Sequence, residues 1–219
     1  MRLGILCGLL RNKVMILKEI NSICIVGNAA VLIGKRLGEK INRFDYVARF
    51  KHGISELNPE HIEDIGTKTD ILISRRLLRD ASILKEVKKK APKYIFLGRT
   101  NETDALGKKL GVKMYDFKID KITLKDINIP PETYYKPYIT SGLSFIVLCI
   151  KYQIPKIYIC GFTTENNYVQ NQRAVFCAKA KNRYENNRQF EQRTVNIHHL
   201  ETERKIISQL IRENKIKQL

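Results

Sequence analysis

Residues 22–49 read SICIVGNAAVLIGKRLGEKINRFDYVAR, and no other stretch limits the fold as strongly. Residues 23–26 are apolar and rich in β-branched side chains, the pattern of a buried strand. Gly27 and Asn28 end the run. Residues 29–41 then carry Val31, Leu32, Ile33, Leu37 and Ile41 at roughly helical spacing, with Lys35, Arg36, Glu39 and Lys40 between them. A strand, a Gly-Asn turn and a helix make the opening of an α/β unit. Backbone N–H groups at such a helix start can stabilise a phosphate over the strand's end. The same turn also occurs as a purely structural joint in α/β folds.

Strands and helices alternate beyond it. Residues 46–50, 70–74, 93–97, 112–117 and 156–160 read as strands, and 75–90, 103–110 and 143–152 as helices. Residues 120–138, with Pro130, Pro131 and Pro137, read as an irregular connection. Thr140 or Ser141 is placed to cap the helix that follows, through a side-chain oxygen that accepts a backbone N–H. Residues 200–219 read as a basic amphipathic helix, with Ile206, Ile207, Leu210, Ile211 and Ile216 among Arg204, Lys205, Arg212, Lys215 and Lys217. The pattern predicts one α/β domain over residues 1–219, with 1–20 as an N-terminal extension. Its expected form is a Rossmann-like, mostly parallel sheet with helices on both faces.

Lys and Arg number 40 against 22 Asp and Glu, a formal net charge of +18. Such an excess calls for an anionic partner: nucleic acid, lipid headgroups or an acidic substrate. No basic stretch is interleaved with aromatic residues as in a single-strand-binding platform, which makes nucleic acid the less favoured partner. The five cysteines (Cys7, Cys24, Cys149, Cys160, Cys177) form no CxxC pair and read as free thiols of a reducing compartment. The histidines stand at no metal-ligand spacing with them, so no zinc site is expected. The apolar run at 3–10 is far shorter than the roughly 20 residues of a membrane span. A cytoplasmic protein is expected, peripheral on the membrane through the basic helix at 200–219.

The order VGN, FDYVARF (44–50) and EDIGTKTD (63–70) resembles the long sialylmotif of the animal-type sialyltransferases, glycosyltransferase family 29. The segment 140–162, TSGLSFIVLCIKYQIPKIYICGF, resembles the family's short sialylmotif and follows in the expected order. Asn182-Arg183-Tyr184-Glu185 loosely resembles the third motif without its leading His, and His198 with Glu203 gives the His-x4-Glu of the very short motif. The resemblance implies a variant GT-A fold and transfer of sialic acid from CMP-sialic acid to a glycan or glycolipid acceptor, with inversion and without a metal or other cofactor. It implies a donor site of Gly27, Asn28, Arg49, Lys51, Thr140, Ser141, Gly142, Gly161, Phe162, Arg183 and Tyr184. His198 is implied as the catalytic base, with Glu203 beside it as a catalytic residue. A helix start disfavours imidazolium and so keeps such a base neutral.

The departures are specific. Lys51 stands where the family has a second Asn, Arg183 stands beside the missing third-motif His, and the family's inter-motif disulfide has no partner in register at Cys24. No Asp-x-Asp pair is present to hold a metal on a diphosphate. Two alternatives remain beside sialic acid transfer: a transferase of the same fold using CMP-Kdo, and a non-catalytic basic protein that binds nucleic acid or lipid headgroups.

Overall fold

The computed structural model describes residues 17–50, 61–74, 81–97, 107–108, 110–116, 139–165 and 200–219. Their core is a sheet of seven strands: β1 (Ser22–Val26), β2 (Tyr46–Phe50), β3 (Ile71–Ser74), β4 (Tyr94–Leu97), β5 (Lys113–Asp116), β6 (Lys156–Cys160) and β7 (Lys217–Gln218). The spatial order is β5-β4-β3-β2-β1-β6-β7. Every neighbouring pair is parallel. The helices are α1 (Gly38–Asn42), α2 (Ile62–Ile65), α3 (Ala81–Lys90), α4 (Ser141–Lys151) and α5 (Leu200–Arg212).

Parallel strands need both faces covered, and β1 shows how one run serves two cores. Successive side chains point to opposite faces. Ile23 and Ile25 join a cluster with Phe145, Ile146, Ile206, Ile207 and Leu210, from α4 and α5. Cys24 and Val26 join Ile41 of α1 and Ile65 of α2 on the other face. α4 is buried from Leu143 to Cys149, which explains its almost uncharged sequence.

Two expected helices are shorter than their periodicity implies. Residues 29–41 do not form one helix: a 3-10 turn at Ala30–Leu32 is followed by a loop, and α1 begins only at Gly38. Gly34 (φ 76°) and Arg36 (φ 51°) adopt left-handed backbone that a helix cannot contain. The break is held from outside, because the Asp64 carboxylate accepts the N–H groups of Gly34 and Arg36, each at 2.9 Å. Burial opposes the ionisation of Asp64, but these two bonds and the neighbouring charges of His61 and Arg36 outweigh it and hold the carboxyl below its ordinary value. A lowered carboxyl contributes stability above its unfolded pKa and loses that contribution as pH falls through the folded one. Asp64→Asn is therefore expected to cost about 1 kcal/mol at neutral pH. The variant should also lose part of the acid-side fall in stability seen in the parent below about pH 4. Urea unfolding across pH 2–7 (roughly, the range around the carboxyl pKa) checks this, and parallel profiles for parent and variant would count against the clamp.

The second is the C-terminal helix. α5 ends at Arg212, and the chain then turns through Asn214 (φ 54°) into β7, beside β6. Ile206, Ile207, Leu210 and Ile216 are all buried in the core. The apolar face expected to lie on a membrane is thus packed on the sheet, and its cations face outward. Among the described residues no helix is long and apolar enough to cross a membrane.

Candidate active site

The strand order reverses at β1: β2 to β5 build out on one side, β6 and β7 on the other. In an open parallel sheet a ligand crevice forms outside the carboxyl ends of the two strands at that reversal, here β1 and β6. A glycine follows each strand, Gly27 after β1 and Gly161 after β6. The Gly27 N–H donates to Cys160 O at 2.8 Å and the Ala29 N–H to Gly161 O at 2.9 Å, so the two chains continue side by side past the sheet. The approach leaves no room for side chains: a Cβ on Gly27 would lie 2.2 Å from Gly161 O. Phe162 follows, with its ring against Gly27 and against Gly142 in the first turn of α4. A Cβ on Gly27 would lie 3.1 Å from the ring, and one on Gly142 would lie 2.8 Å from it. Phe50, at the end of β2, meets Phe162 edge to face with centroids 6.2 Å apart. Gly27, Asn28, Gly142, Gly161 and Phe162 are thereby brought together from sequence positions more than a hundred residues apart.

The third wall is the start of α4. Thr140 is its N-cap, with extended backbone, and its Oγ1 accepts the Leu143 N–H at 3.2 Å. The Thr140 N–H and hydroxyl both donate to the Glu203 carboxylate, each at 2.6 Å. Of the first-turn amides this leaves those of Ser141 and Gly142 without a partner among the described residues. The free backbone donors expected at Gly27 need revising as well. Its N–H and that of Ala29 are spent on the β6 end, and no α-helix starts there. Asn28 is the member of this turn whose amide groups meet no partner among the described residues.

Arg49 is not where a ligand contact would be. It is 1% exposed, and its guanidinium donates inward: Nε to Lys68 O at 2.9 Å, and one Nη to Ile65 O at 2.5 Å and Gly66 O at 3.2 Å. Burial pushes it down to about 10, against the opposing influence of the Cys160 and Cys24 thiols, so it stays charged at neutral pH. The loop it holds is held again from the other side by Asn42, whose Oδ1 accepts the N–H groups of Thr67 and Lys68, both at 3.0 Å. Lys68 Nζ in turn donates to Phe44 O and Asp45 O. The GTKT part of the long motif is therefore a knot that fixes β2, β3 and α1 to one another. Asn42 and Lys68 have this role and do not stand out in the sequence, because a lone amide and a lone lysine carry no pattern.

Glu203 is likewise committed to Thr140 and acts on the α4 cap, which differs from a role in the reaction itself. Lys51, Arg183, Tyr184 and His198 lie outside the described residues. Cys24, Cys149 and Cys160 are free and buried. The Sγ atoms of Cys24 and Cys160 lie 3.8 Å apart, and their hydrogen bond, with burial, pushes the Cys24 thiol far up. Among the described residues no three His, Cys, Asp or Glu side chains converge as a metal cage.

The model of glycosyltransferase family 29 (sialyltransferase) matches residues 11–97. No curated protein matches the chain in sequence. Two crystal structures of a mammalian sialyltransferase share the fold at 15% identity, each covering 91% of this chain and 69% of the other. Their TM-scores are 0.59, for a complex with Gal-beta-1-3GalNAc-ortho-nitrophenol, and 0.54. The monofunctional alpha-2,3-sialyltransferase Cst-I from Campylobacter jejuni is more distant, with a TM-score of 0.48 at 19% identity over 75% of this chain and 62% of that one. The two mammalian likenesses speak for the fold alone, and the family match falls on the residues that carry the long motif. The resemblance to the sialyltransferases of glycosyltransferase family 29 is thereby borne out over residues 11–97, where the family's model matches the chain.

Proposed function

We propose that the protein transfers sialic acid from CMP-sialic acid to a hydroxyl of a glycan acceptor, with inversion and without a metal. The observation that carries this reading is the family match over residues 11–97, which contains the Gly27-Asn28 turn at the reversal point of the sheet. In the proposed reaction His198 takes the acceptor hydroxyl's proton while the acceptor oxygen bonds to the anomeric carbon. The bond from that carbon to the phosphate oxygen breaks, and CMP leaves with the electron pair. Developing charge on the leaving phosphate is met by donors fixed before reaction, the arrangement that gives electrostatic stabilisation its size. Asn28 and the Ser141 and Gly142 amides suit this role, since Gly27 and Ala29 spend their N–H groups on the end of β6. Lys51 and Arg183 are the cations proposed to act with them on the leaving phosphate. The +18 charge suits a donor that is anionic at both phosphate and sugar carboxylate.

The direct test is incubation with CMP-sialic acid and a glycan ending in Gal-beta-1-3GalNAc, the disaccharide of the mammalian complex. Sialylated product formed equally with and without a chelator is expected. Transfer from CMP-Kdo alone would move the donor to the related acid, and tight salt-dependent RNA binding without CMP binding would favour the non-catalytic alternative. Asn28→Ala is expected to weaken CMP binding about fivefold, the loss of one polar contact worth about 1 kcal/mol. Calorimetry measures it, and an unchanged affinity would move the phosphate away from this turn.

A further inference from the structure

α5 is bonded to both loops that border the crevice. Glu203, in its first turn, holds Thr140 across 63 residues of sequence. Ser208, on the same helix, accepts the N–H of Glu165 at 3.1 Å, just beyond Phe162. The Glu203 contact is the more demanding of the two. Its carboxylate is buried at 6% exposure, and both its bonds to Thr140 are short and charge-assisted. They also settle the orientation of the Thr140 hydroxyl. That group has one proton, which goes to Glu203, and a lone pair is left to accept the Leu143 N–H. The negative charge sits at the positive end of an eleven-residue helix, where the dipole favours it. A neutral amide at 203 has the same shape, but its NH2 cannot accept, so it cannot take the two Thr140 donors on two separate oxygens as the carboxylate does.

We propose that Glu203 is a positioning residue of the donor site: its carboxylate sets Thr140, and through Thr140 the direction of the Ser141–Gly142 turn that faces Phe162 and Gly27. The proposal rests on the donor-site reading above, and the test separates the two. CMP is titrated calorimetrically into the full-length chain and its variants, with a thermal melt of each. The parent binds CMP; Glu203→Gln binds it about five- to tenfold more weakly, the loss expected for one hydrogen bond. Thr140→Val shows a similar loss, and Thr140→Ser, which keeps the hydroxyl and drops the methyl, binds as the parent does. The double variant Glu203→Gln/Thr140→Val is no weaker than Thr140→Val alone, because the two residues act as one unit. Glu201→Gln, on the exposed side of the same turn and paired with Lys205 at 3.0 Å, is unchanged. If Glu203→Gln shows no folding transition, Glu203→Asp, which keeps the charge one methylene short, carries the same comparison.

Parental affinity in Glu203→Gln overturns the proposal alone, as do strictly additive losses, which would make Thr140 a direct ligand contact independent of Glu203. Absence of CMP binding in the parent overturns the donor-site reading and the proposal with it.

Discussion

Replacing His198 by alanine is expected to lower transfer from CMP-sialic acid by about 10²- to 10⁴-fold, the usual contribution of a positioned general base. CMP affinity should stay within about threefold of the parent, because a base acts on the acceptor's proton and adds little to ground-state binding of the donor. The split between the two readouts is what identifies the role. A general structural lesion would reduce both, and a phosphate contact would reduce affinity first. His199 is the neighbour that could be mistaken for it, so His199→Ala is the necessary companion. Loss of transfer in His199→Ala with full activity in His198→Ala would move the base by one residue and break the His-x4-Glu spacing. Initial rates at saturating donor, with CMP titrations on the same preparations, decide it.

The second large effect is on stability. Arg49→Met retains the aliphatic length of the side chain but removes three donors from the carbonyls of Ile65, Gly66 and Lys68. Leaving such buried partners unpaired is expected to cost about 3–5 kcal/mol. Much of the chain's stability is at stake, since domains are stable by only about 5–15 kcal/mol. The loss should appear as a lower denaturant midpoint, while whatever fraction remains folded binds CMP with parental affinity. The opposite pattern, parental stability with weakened CMP binding, would restore Arg49 to the donor site where the motif alone would put it.

That contrast shows how far the sequence could be read. The sheet was legible because parallel strands with both faces covered are short apolar runs, and β1, β2, β3, β4 and β6 are such runs with Gly, Asp or Lys at their ends. α4 and β6 were legible to within a residue or two because Thr140 caps the one and Gly161 closes the other. The long motif was legible as a unit, but its division of labour was not. Gly27 and Asn28 border the crevice, whereas Arg49, Asp64 and Lys68 tie loops together. A linear pattern records that residues occur together and carries no sign of the direction in which a guanidinium points.

Periodicity misled for a different reason at 29–41 and 200–219. Apolar spacing of three to four residues is satisfied equally by a helix and by a turn that drops Leu32 and Leu37 onto the same core. The decision fell to Asp64, thirty residues away. At the C-terminus Ile216 continues the apolar stripe, yet it is buried by a turn into an edge strand, because β6 offers an unpaired edge that β7 fills. The membrane-facing reading of this segment lost its apolar face to the core in the same step.

The central claim is that CMP sits outside the carboxyl ends of β1 and β6. The most direct measurement is an amide-resolved titration of CMP into isotopically labelled protein. Saturable shifts at Asn28, Ser141, Gly142, Gly161 and Phe162 are predicted, with one common affinity, and none at Lys18, Tyr152 or Gln153, which precede β1 and β6 at the amino ends of these strands. Saturable shifts at those amino ends, with the Gly27–Gly161 crossing unmoved, would contradict the account.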